Sequence, residues 1–244
     1  MVESRKGSLV VVGTGYRIAG QTTPEALHHL KKSDVLFYLV YDPITERWVR
    51  SLNTSAVSLR KYFRQGRLAR DCCNAIVDRI LRSLRRGLNV CAAFSGHPSV
   101  CLNPSHDALR RARSEGFRTK MLPAVSSVDC MFADLGVDPV GSGCHVLDAS
   151  AFLVYSHKPV TSSDLVLLQV ANLGKKSVVT TNDMAKVRLL RRVLEKSYPA
   201  DHPVVLYEVA VNPLVHPRIQ RVKLSTLEEQ EISFSTTVYV PAVK

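Results

Sequence analysis

The apolar residues of this chain fall into short runs separated by stretches of helical periodicity. Runs with little polar interruption are typical of central strands in a parallel sheet, because such strands are buried on both faces. Three segments predict strands of this kind: residues 8–13, 34–40 and 90–94. Helical spacing predicts helices over residues 23–32 and 71–86, with Thr23 capping the first and Gly87 following the second. This alternation indicates an α/β fold with a mostly parallel sheet.

The same reasoning assigns elements to the rest of the chain. Helices are predicted at residues 44–52, 104–113, 128–135 and 184–197. Strands are predicted at residues 57–59, 116–122, 146–153, 165–170, 177–181, 204–210, 219–224 and 235–240. Residues 136–143 form a connection rich in glycine and proline. We therefore expect two α/β lobes, residues 1–136 and residues 137–244.

Residues 89–106 are the stretch around which the first lobe is organised. A short strand there runs into Ser95-Gly96-His97-Pro98, where the glycine permits a left-handed backbone and the proline ends the strand. In open α/β sheets, ligands bind at loops that leave the carboxyl ends of strands. A second stretch, residues 123–134, brings the hydroxyls of Ser126 and Ser127. We expect these two stretches to be facing walls of a small-molecule cleft.

The composition is that of an ordinary globular protein. Of the 244 residues, 45% are hydrophobic and 22% are charged, and no apolar run approaches the length of a membrane span. Residues 1–8 lack the apolar region of a secretory signal, so a cytoplasmic location is expected. The six cysteines form no CxxC pair, which favours reduced thiols over a disulfide framework or a zinc site.

The net charge of +12 is concentrated in one segment of the chain. Residues 60–86 contain Arg60, Lys61, Arg64, Arg67, Arg70, Arg79, Arg82, Arg85 and Arg86. A basic face of this kind attracts nucleic acid, an acidic peptide or a substrate rich in carboxylates, or it is a solvated helix face. The solvated face is preferred, because the arginines are not interleaved with aromatic residues as in a nucleic-acid module.

Motif tests exclude several kinds of site. Gly13-Thr14-Gly15 follows a strand, but Ile18 occupies the third glycine position of the dinucleotide-binding fingerprint. His97 and His106 do not form a metal-ligand pattern with other donor residues, so no metal is expected. The tyrosines in or beside strands, among them Tyr41, are interpreted as half-buried packing residues. The patterns thus predict a two-lobed protein with a cleft and do not identify its ligand.

Motifs spread over nearly the whole chain nevertheless resemble those of a known family. They are GSLVVVGTG at residues 7–15, GQTTPEAL at 20–27, GHPSV at 96–100, NPSH at 103–106, ARSEG at 112–116, MLPAVS at 121–126, DCMFADL at 129–135 and DHPVV at 201–205. Their combination resembles the tetrapyrrole methylase superfamily of S-adenosylmethionine-dependent methyltransferases. Within this superfamily it is most similar to the borosin enzymes, which α-N-methylate the backbone amides of ribosomally synthesised peptides.

The resemblance implies a fold, a cofactor and partners. It implies two α/β lobes that hold S-adenosylmethionine between them, with S-adenosylhomocysteine as the product, and an intertwined homodimer. Carried over by position, the cofactor-binding residues are Ser95, Gly96, His97, Val100, Cys101, Ser126, Ser127, Gln169, Tyr207, Ala210 and Thr237. Because the sequence ends shortly after the methyltransferase region, the expected enzyme is of the split type, which modifies a separate precursor peptide. No membrane or metal is expected to take part.

The resemblance also concerns catalysis. Amide methylation requires stabilisation of an imidate-like oxygen, removal of the N–H proton and in-line approach of the methyl donor. In the family, tyrosine hydroxyls and one arginine are associated with this work. By ungapped comparison, the tyrosine positions hold Arg60, Phe63, Cys73 and Ser95, and the arginine position holds Ala69. The expected replacements are Arg70 or Arg67 for the charge and Tyr62 for the hydroxyl.

Three functions therefore stay open, in a definite order. The first is a peptide backbone N-methyltransferase, and the second is a catalytically impaired homologue that binds the cofactor and acts as a partner subunit. The third is a tetrapyrrole methyltransferase, in which the arginine-rich segment would meet the carboxylates of the substrate. Nucleic-acid binding ranks last.

Overall fold

The computed structural model describes residues 7–178, 183–212 and 214–243 of the chain. The protein divides into two compact units. The first unit comprises residues 7–127 with the short segments Lys176–Val178 and Val211–Val215, and the second comprises most of the chain after Ser127. The lobes predicted at residues 1–136 and 137–244 stay a prediction.

The first unit is built on a parallel sheet. Its strands are β1 (Ser8–Gly13), β2 (Val35–Leu39), β3 (Ala56–Ser58), β4 (Asn89–Phe94) and β5 (Arg118–Met121). They pair in parallel in the order β3–β2–β4–β1–β5. The predicted parallel α/β arrangement is therefore confirmed in this unit.

Helices cover both faces of this sheet. They are α1 (Pro24–Lys32), α2 (Pro43–Leu52), α3 (Ala69–Arg85) and α4 (Asn103–Ser114), with a short 3-10 helix at Arg60–Tyr62. Successive residues of β1 point to opposite faces, so Leu9 and Val11 pack in the core cluster of α3 and α4, and Val12 packs in that of α1 and α2. The sheet is consequently buried on both sides, which explains the continuous apolar character of β1.

The ends of the helices follow the predicted capping residues. The Thr23 hydroxyl accepts a hydrogen bond from the Ala26 amide at 3.1 Å, and Pro24 occupies the first helical position of α1. At the end of α3, Gly87 has a φ of +79°, the left-handed conformation that terminates many helices. These local signals are sufficient to set both boundaries within two residues of those predicted, because they act through the backbone of the same segment.

The second unit has a mixed sheet. Its helices are α5 (Ser127–Leu135), α6 (Ala149–Val154) and α7 (Met184–Leu194), with short 3-10 helices at Val170–Asn172 and Leu224–Glu229. Its strands are β6 (Cys144–Asp148), β7 (Asp164–Leu168), β8 (Pro203–Glu208), β9 (Arg218–Lys223) and β10 (Thr237–Val240). They are ordered β6–β7–β10–β8–β9, with β6 and β7 parallel and the other neighbours antiparallel. Among the described residues, every helix is too short or too polar to cross a membrane.

Two predicted strands differ from the structure. The strand predicted at residues 146–153 is wrong in its second half, because β6 stops at Asp148 and α6 begins there. The Asp148 carboxylate accepts hydrogen bonds from the amides of Ser150 at 2.8 Å and Ala151 at 2.9 Å, and so caps the helix. Of the strand predicted at residues 177–181, Ser177 forms a single bridge with Leu68, and residues 179–181 lie outside the described part.

We predict that Asp148→Ala lowers the free energy of unfolding by about 1 kcal/mol, because it removes both capping hydrogen bonds of α6. Chemical denaturation followed by circular dichroism measures this loss. Asp201→Ala, at an exposed turn before β8, removes the same charge and is expected to change stability by less than about 0.5 kcal/mol. Equal effects of the two substitutions would contradict the capping role.

Candidate functional site

The carboxyl ends of four parallel strands define one edge of the first sheet. The loops that leave β1, β2, β3 and β4 start side by side, because hydrogen bonds join them across the sheet. The Thr14 amide donates to the Phe94 carbonyl at 2.8 Å, and the Ser95 amide donates to the Leu39 carbonyl at 3.2 Å. The Leu59 amide likewise donates to the Tyr38 carbonyl at 2.8 Å. This edge is where ligands of parallel α/β sheets bind.

Two glycines from different loops pair through their backbones at this edge, and we call the close approach of these residues and Gly13 the glycine crossing. The Gly96 amide donates to the Gly15 carbonyl at 2.9 Å, and the two residues form an antiparallel bridge. Both have left-handed backbones, with φ of +66° at Gly15 and +70° at Gly96. A Cβ atom on Gly96 would lie 2.8 Å from a ring carbon of Tyr16 and 2.9 Å from its hydroxyl. The Tyr16 ring therefore packs directly on the backbone of the turn.

A third glycine joins the two predicted walls. A Cβ atom on Gly13 would lie 2.1 Å from the Gly96 carbonyl oxygen, 2.9 Å from Cδ of Pro98 and 2.6 Å from Cβ of Ala124. The turn at residues 95–101 and the segment at residues 123–127 consequently meet at Gly13. This contact agrees with the expectation that the two stretches lie close together. Ser126, two residues after Ala124 in the sequence, is buried.

The turn after β4 is held by the first turn of α4. Nδ1 of His97 accepts a hydrogen bond from the Ser99 amide at 3.1 Å, and the Ser105 hydroxyl contacts the Pro98 carbonyl. Nε2 of His106 lies 3.0 Å from the Ser99 carbonyl. The predicted cofactor residues Val100 and Cys101 follow in this turn, and Cys101 is exposed. Local hydrogen bonds thus fix the shape of the turn.

Tyr41 stands on the same edge, two residues beyond β2. Its side chain is 60% exposed, yet desolvation by the surrounding protein raises the pKa of its hydroxyl. The neighbouring Tyr16 adds to this rise in the pKa, and the Arg60 guanidinium opposes it. The residue as a whole is exposed to solvent and is therefore accessible to a ligand.

Cys73 is a further neighbour of Tyr41. Burial raises the pKa of its thiol, and Cys72 and Asp107 add to the rise. Cys73 also lines a surface recess of about 230 Å³ together with Ala69, Arg70, Asn103, His106 and Asp107. A thiol whose pKa is raised is neutral at pH 7, which argues against a nucleophilic role for it.

The three predicted catalytic residues have different surroundings. The half-buried Tyr62 packs against the core cluster of the first unit, with Nζ of Lys61 5.5 Å from its ring centre. The Arg67 carbonyl accepts a hydrogen bond from the Val178 amide at 2.8 Å, and the Arg67 side chain is exposed. The Arg70 side chain is 83% exposed on the rim of the recess, 3.9 Å from Asp71. Their catalytic roles stay a prediction.

The predicted cofactor residues of the second unit share one edge of its sheet. Gln169 follows β7 with a φ of +62°, Ala210 follows β8, and Thr237 begins β10 opposite Tyr207. The buried hydroxyl of Tyr207 donates to the Asp134 carboxylate at 2.7 Å. Gln169 accepts a hydrogen bond from the Asn172 side chain. The structure brings these residues to one sheet edge, and their contact with a cofactor stays a prediction.

Sequence reasoning missed Tyr16 and Tyr41. The interpretation of Tyr41 as a half-buried packing residue is wrong, as it is for Tyr155, which is 73% exposed. The available signal was position, since Tyr41 comes just after the predicted strand and immediately before the helix-capping Asp42. Within the described residues, no group of three or more histidine, cysteine or acidic side chains is arranged to hold a metal ion.

Comparison with known proteins gives the relatives of this chain. It is 38% identical over 244 residues to the methyltransferase and precursor of the ribosomally synthesised cyclic peptide dendrothelin A from Dendrothele bispora, and equally to that of omphalotin A from Omphalotus olearius. It is 36% identical to a type III borosin cyclic peptide precursor from Anomoporia bombycina. The first two alignments cover 98% of this chain and 58% of the relative, and the third covers 97% and 28%. The chain therefore spans little more than half the length of its first relatives.

Solved structures match the fold. The uroporphyrin-III C-methyltransferase of Thermus thermophilus has a TM-score of 0.69 at 17% identity, over 97% of this chain and 92% of that one. The cobalt precorrin-4 methyltransferase has a TM-score of 0.65 at 15% identity, over 96% and 94%. A profile described as Tetrapyrrole (Corrin/Porphyrin) Methylases matches residues 8–227. The chain thus belongs to the tetrapyrrole methylase family.

Proposed function

We propose that this protein is an S-adenosylmethionine-dependent methyltransferase that α-N-methylates backbone amides of a precursor peptide. The observation that carries the proposal is the close approach of Gly13, Gly15 and Gly96 at the carboxyl edge of the parallel sheet, with the exposed Tyr41 on the same edge. The family supports methyl transfer. The peptide substrate is supported by the relatives, whose names join a methyltransferase to a cyclic peptide precursor.

The residues of the glycine crossing fit a cofactor of this kind. A Cβ atom on Gly13 would clash with the Gly96 carbonyl and with Ala124, so the two wall segments approach each other at backbone distance. The polar residues of these two segments include the half-buried Ser95 and the buried Ser126. When bound, S-adenosylmethionine would supply an electrophilic methyl group. The chain residues would hold it and position the peptide.

The chemistry of the edge assigns roles toward the peptide. An amide nitrogen becomes a better nucleophile as its carbonyl oxygen takes on negative charge, so donors aimed at that oxygen accelerate the reaction. Tyr41 suits this role, since a tyrosine phenol is protonated at neutral pH and able to donate, and desolvation raises the pKa of this one further. Arg60, its neighbour, would stabilise the same developing charge. Together, Tyr41 and Arg60 would then compensate for the hydroxyls that are absent at the substituted tyrosine positions.

The proposal extends to assembly and location. We propose a homodimer, as expected from the resemblance, that acts in the cytoplasm on a precursor peptide. The second candidate function is that of a catalytically impaired homologue, which binds the cofactor but does not methylate a peptide and acts as a partner subunit. It is favoured by the exposure of Arg70 and by the packing of Tyr62 and Phe63 against the core, which takes both rings away from a substrate. The two candidates share the cofactor and differ in catalysis.

We predict that isothermal titration calorimetry detects S-adenosylhomocysteine binding, and that Gly96→Ala weakens it roughly tenfold. The substitution strains a left-handed backbone and pushes a methyl group into the Tyr16 ring, so the turn must shift. Gly136→Ala is the matched control, because φ is +66° there but a Cβ would meet nothing within 4 Å. Absent binding by the wild-type protein, or equal effects of both variants, would contradict the assignment.

We predict that Tyr41→Phe lowers the rate of peptide methylation about a hundredfold while cofactor affinity is unchanged, because one donor to the amide oxygen is lost. Intact-mass spectrometry of precursor peptide incubated with the enzyme follows methyl additions. Tyr155→Phe, an exposed tyrosine in the second unit, is the control. If the wild-type protein binds cofactor but leaves the peptide mass unchanged, the partner-subunit candidate replaces the enzyme.

A further inference from the structure

The strongest charge feature of the first unit lies beside the candidate site. Residues 60–70 contain the five cations Arg60, Lys61, Arg64, Arg67 and Arg70 and no acidic residue. Lys176 belongs to the same unit and adds a sixth positive side chain. All six residues are exposed. We call residues 60–70 together with Lys176 the basic clamp.

The basic clamp has a defined backbone. Residues 66–69 run antiparallel to residues 176–178, with the Gly66 amide donating to the Val178 carbonyl at 2.8 Å. The Ala69 amide donates to the Lys176 carbonyl at 2.9 Å, and Leu68 and Ser177 form a β-bridge. These bonds hold two cationic segments at strand spacing. The charges are consequently concentrated on a shaped surface and are not scattered along a free loop.

Several arginines elsewhere on α3 and α4 are engaged with partners. Arg85 pairs with Glu115 at 2.6 Å, Arg110 pairs with Asp107 at 2.9 Å, and Arg79 lies 4.7 Å from the centre of the Phe37 ring. In the clamp, the ion pairs among the described residues are limited to Arg70 with the neighbouring Asp71, at 3.9 Å. The excess positive charge is therefore available to an external partner.

The surface around the clamp favours a peptide over a nucleic acid. Binding of single strands relies on aromatic rings that stack on bases, but Tyr62 and Phe63 pack against the core of the unit. Leu68 is 44% exposed among the charges and offers an apolar contact. The recess of about 230 Å³ begins at Ala69 and Arg70. Side-chain contacts of this mixed kind suit an extended acidic peptide.

The clamp is also continuous with the candidate site. Arg60, the first cation of the clamp, directly follows Leu59, whose amide donates to the Tyr38 carbonyl near the end of β2 at 2.8 Å. Desolvation raises the pKa of Tyr41 on the same edge, and the charge of Arg60 opposes this larger effect. Resting on the proposed function, we propose that the basic clamp docks an acidic segment of the peptide substrate and so delivers the adjoining residues to the edge at Tyr41. The segment it recognises is rich in glutamate or aspartate.

Fluorescence anisotropy tests this docking without cofactor or turnover. The probes are a labelled peptide of alternating glutamate and serine residues and its glutamine counterpart. We expect the acidic probe to bind the wild-type protein, to weaken at least about tenfold when sodium chloride rises from about 50 to about 300 mM, and to outcompete the glutamine probe. Arg64→Glu/Lys176→Glu is expected to weaken binding of the acidic probe roughly tenfold.

The matched control is Arg47→Glu/Arg50→Glu on α2, which changes the net charge equally at two other exposed arginines. Its affinity for the probe is expected to stay within about twofold of wild type, since neither arginine belongs to the clamp and attraction beyond direct contact is screened. Equal weakening by both double variants, or tighter binding of a single-stranded RNA oligonucleotide at the clamp, would overturn the proposal. Circular dichroism of both variants shows that loss of affinity is not loss of fold.

The result is independent of the proposed chemistry. If cofactor binding or methylation fails while the acidic probe distinguishes the two double variants, the docking surface stands and the enzyme assignment falls. If methylation succeeds but the two double variants bind the probe alike, the enzyme assignment stands and the clamp is a solvated face.

Discussion

The close approach of three glycines is the constraint on which the candidate site depends. Gly13 leaves no room for a Cβ between the Gly96 carbonyl and Ala124, and Gly96 carries the Tyr16 ring on its backbone. Any side chain at these positions would separate the turn after β4 from the segment before α5. The loops of four parallel strands would then no longer share one rim. Because a left-handed backbone at Gly15 and Gly96 is accessible mainly to glycine, the residue type itself maintains this geometry.

In the proposed mechanism, positive charge near the glycine crossing binds the peptide, and hydrogen bonding assists the reaction. The Tyr41 phenol is protonated at neutral pH, and desolvation raises its pKa further, so it is suited to donate a hydrogen bond and not to act as a base. The cations of the basic clamp begin next to it at Arg60 and continue along a surface fixed by the 176–178 segment. A peptide held by electrostatics at one end and by a hydroxyl donor at the other would need few specific side-chain contacts. Such an arrangement would allow catalysis at this edge despite the substituted family positions.

Local signals in the sequence predicted much of the fold. Thr23 with Pro24, and the apolar run of β1, determine structure through neighbouring residues, so α1 and β1 agree with prediction. The helix α6 was missed because its start depends on a cap. The Asp148 carboxylate binds the first amides of the helix, and the hydrophobic pattern of the sequence does not reveal this interaction. The contact of Gly13 with Ala124 and the exposure of Tyr41 depend on how distant segments meet. Residue type and spacing alone do not contain that information.

Nuclear magnetic resonance of glycine-labelled protein tests the account most directly. On addition of S-adenosylhomocysteine, the backbone amide signals of Gly13, Gly15 and Gly96 are expected to shift, because these residues lie at the proposed cofactor site. Gly136, which also has a left-handed backbone but lies in open surroundings, is expected to keep its signal unchanged. A full set of unshifted glycine signals at saturating ligand, or shifts that spare all three crossing glycines, would contradict the account.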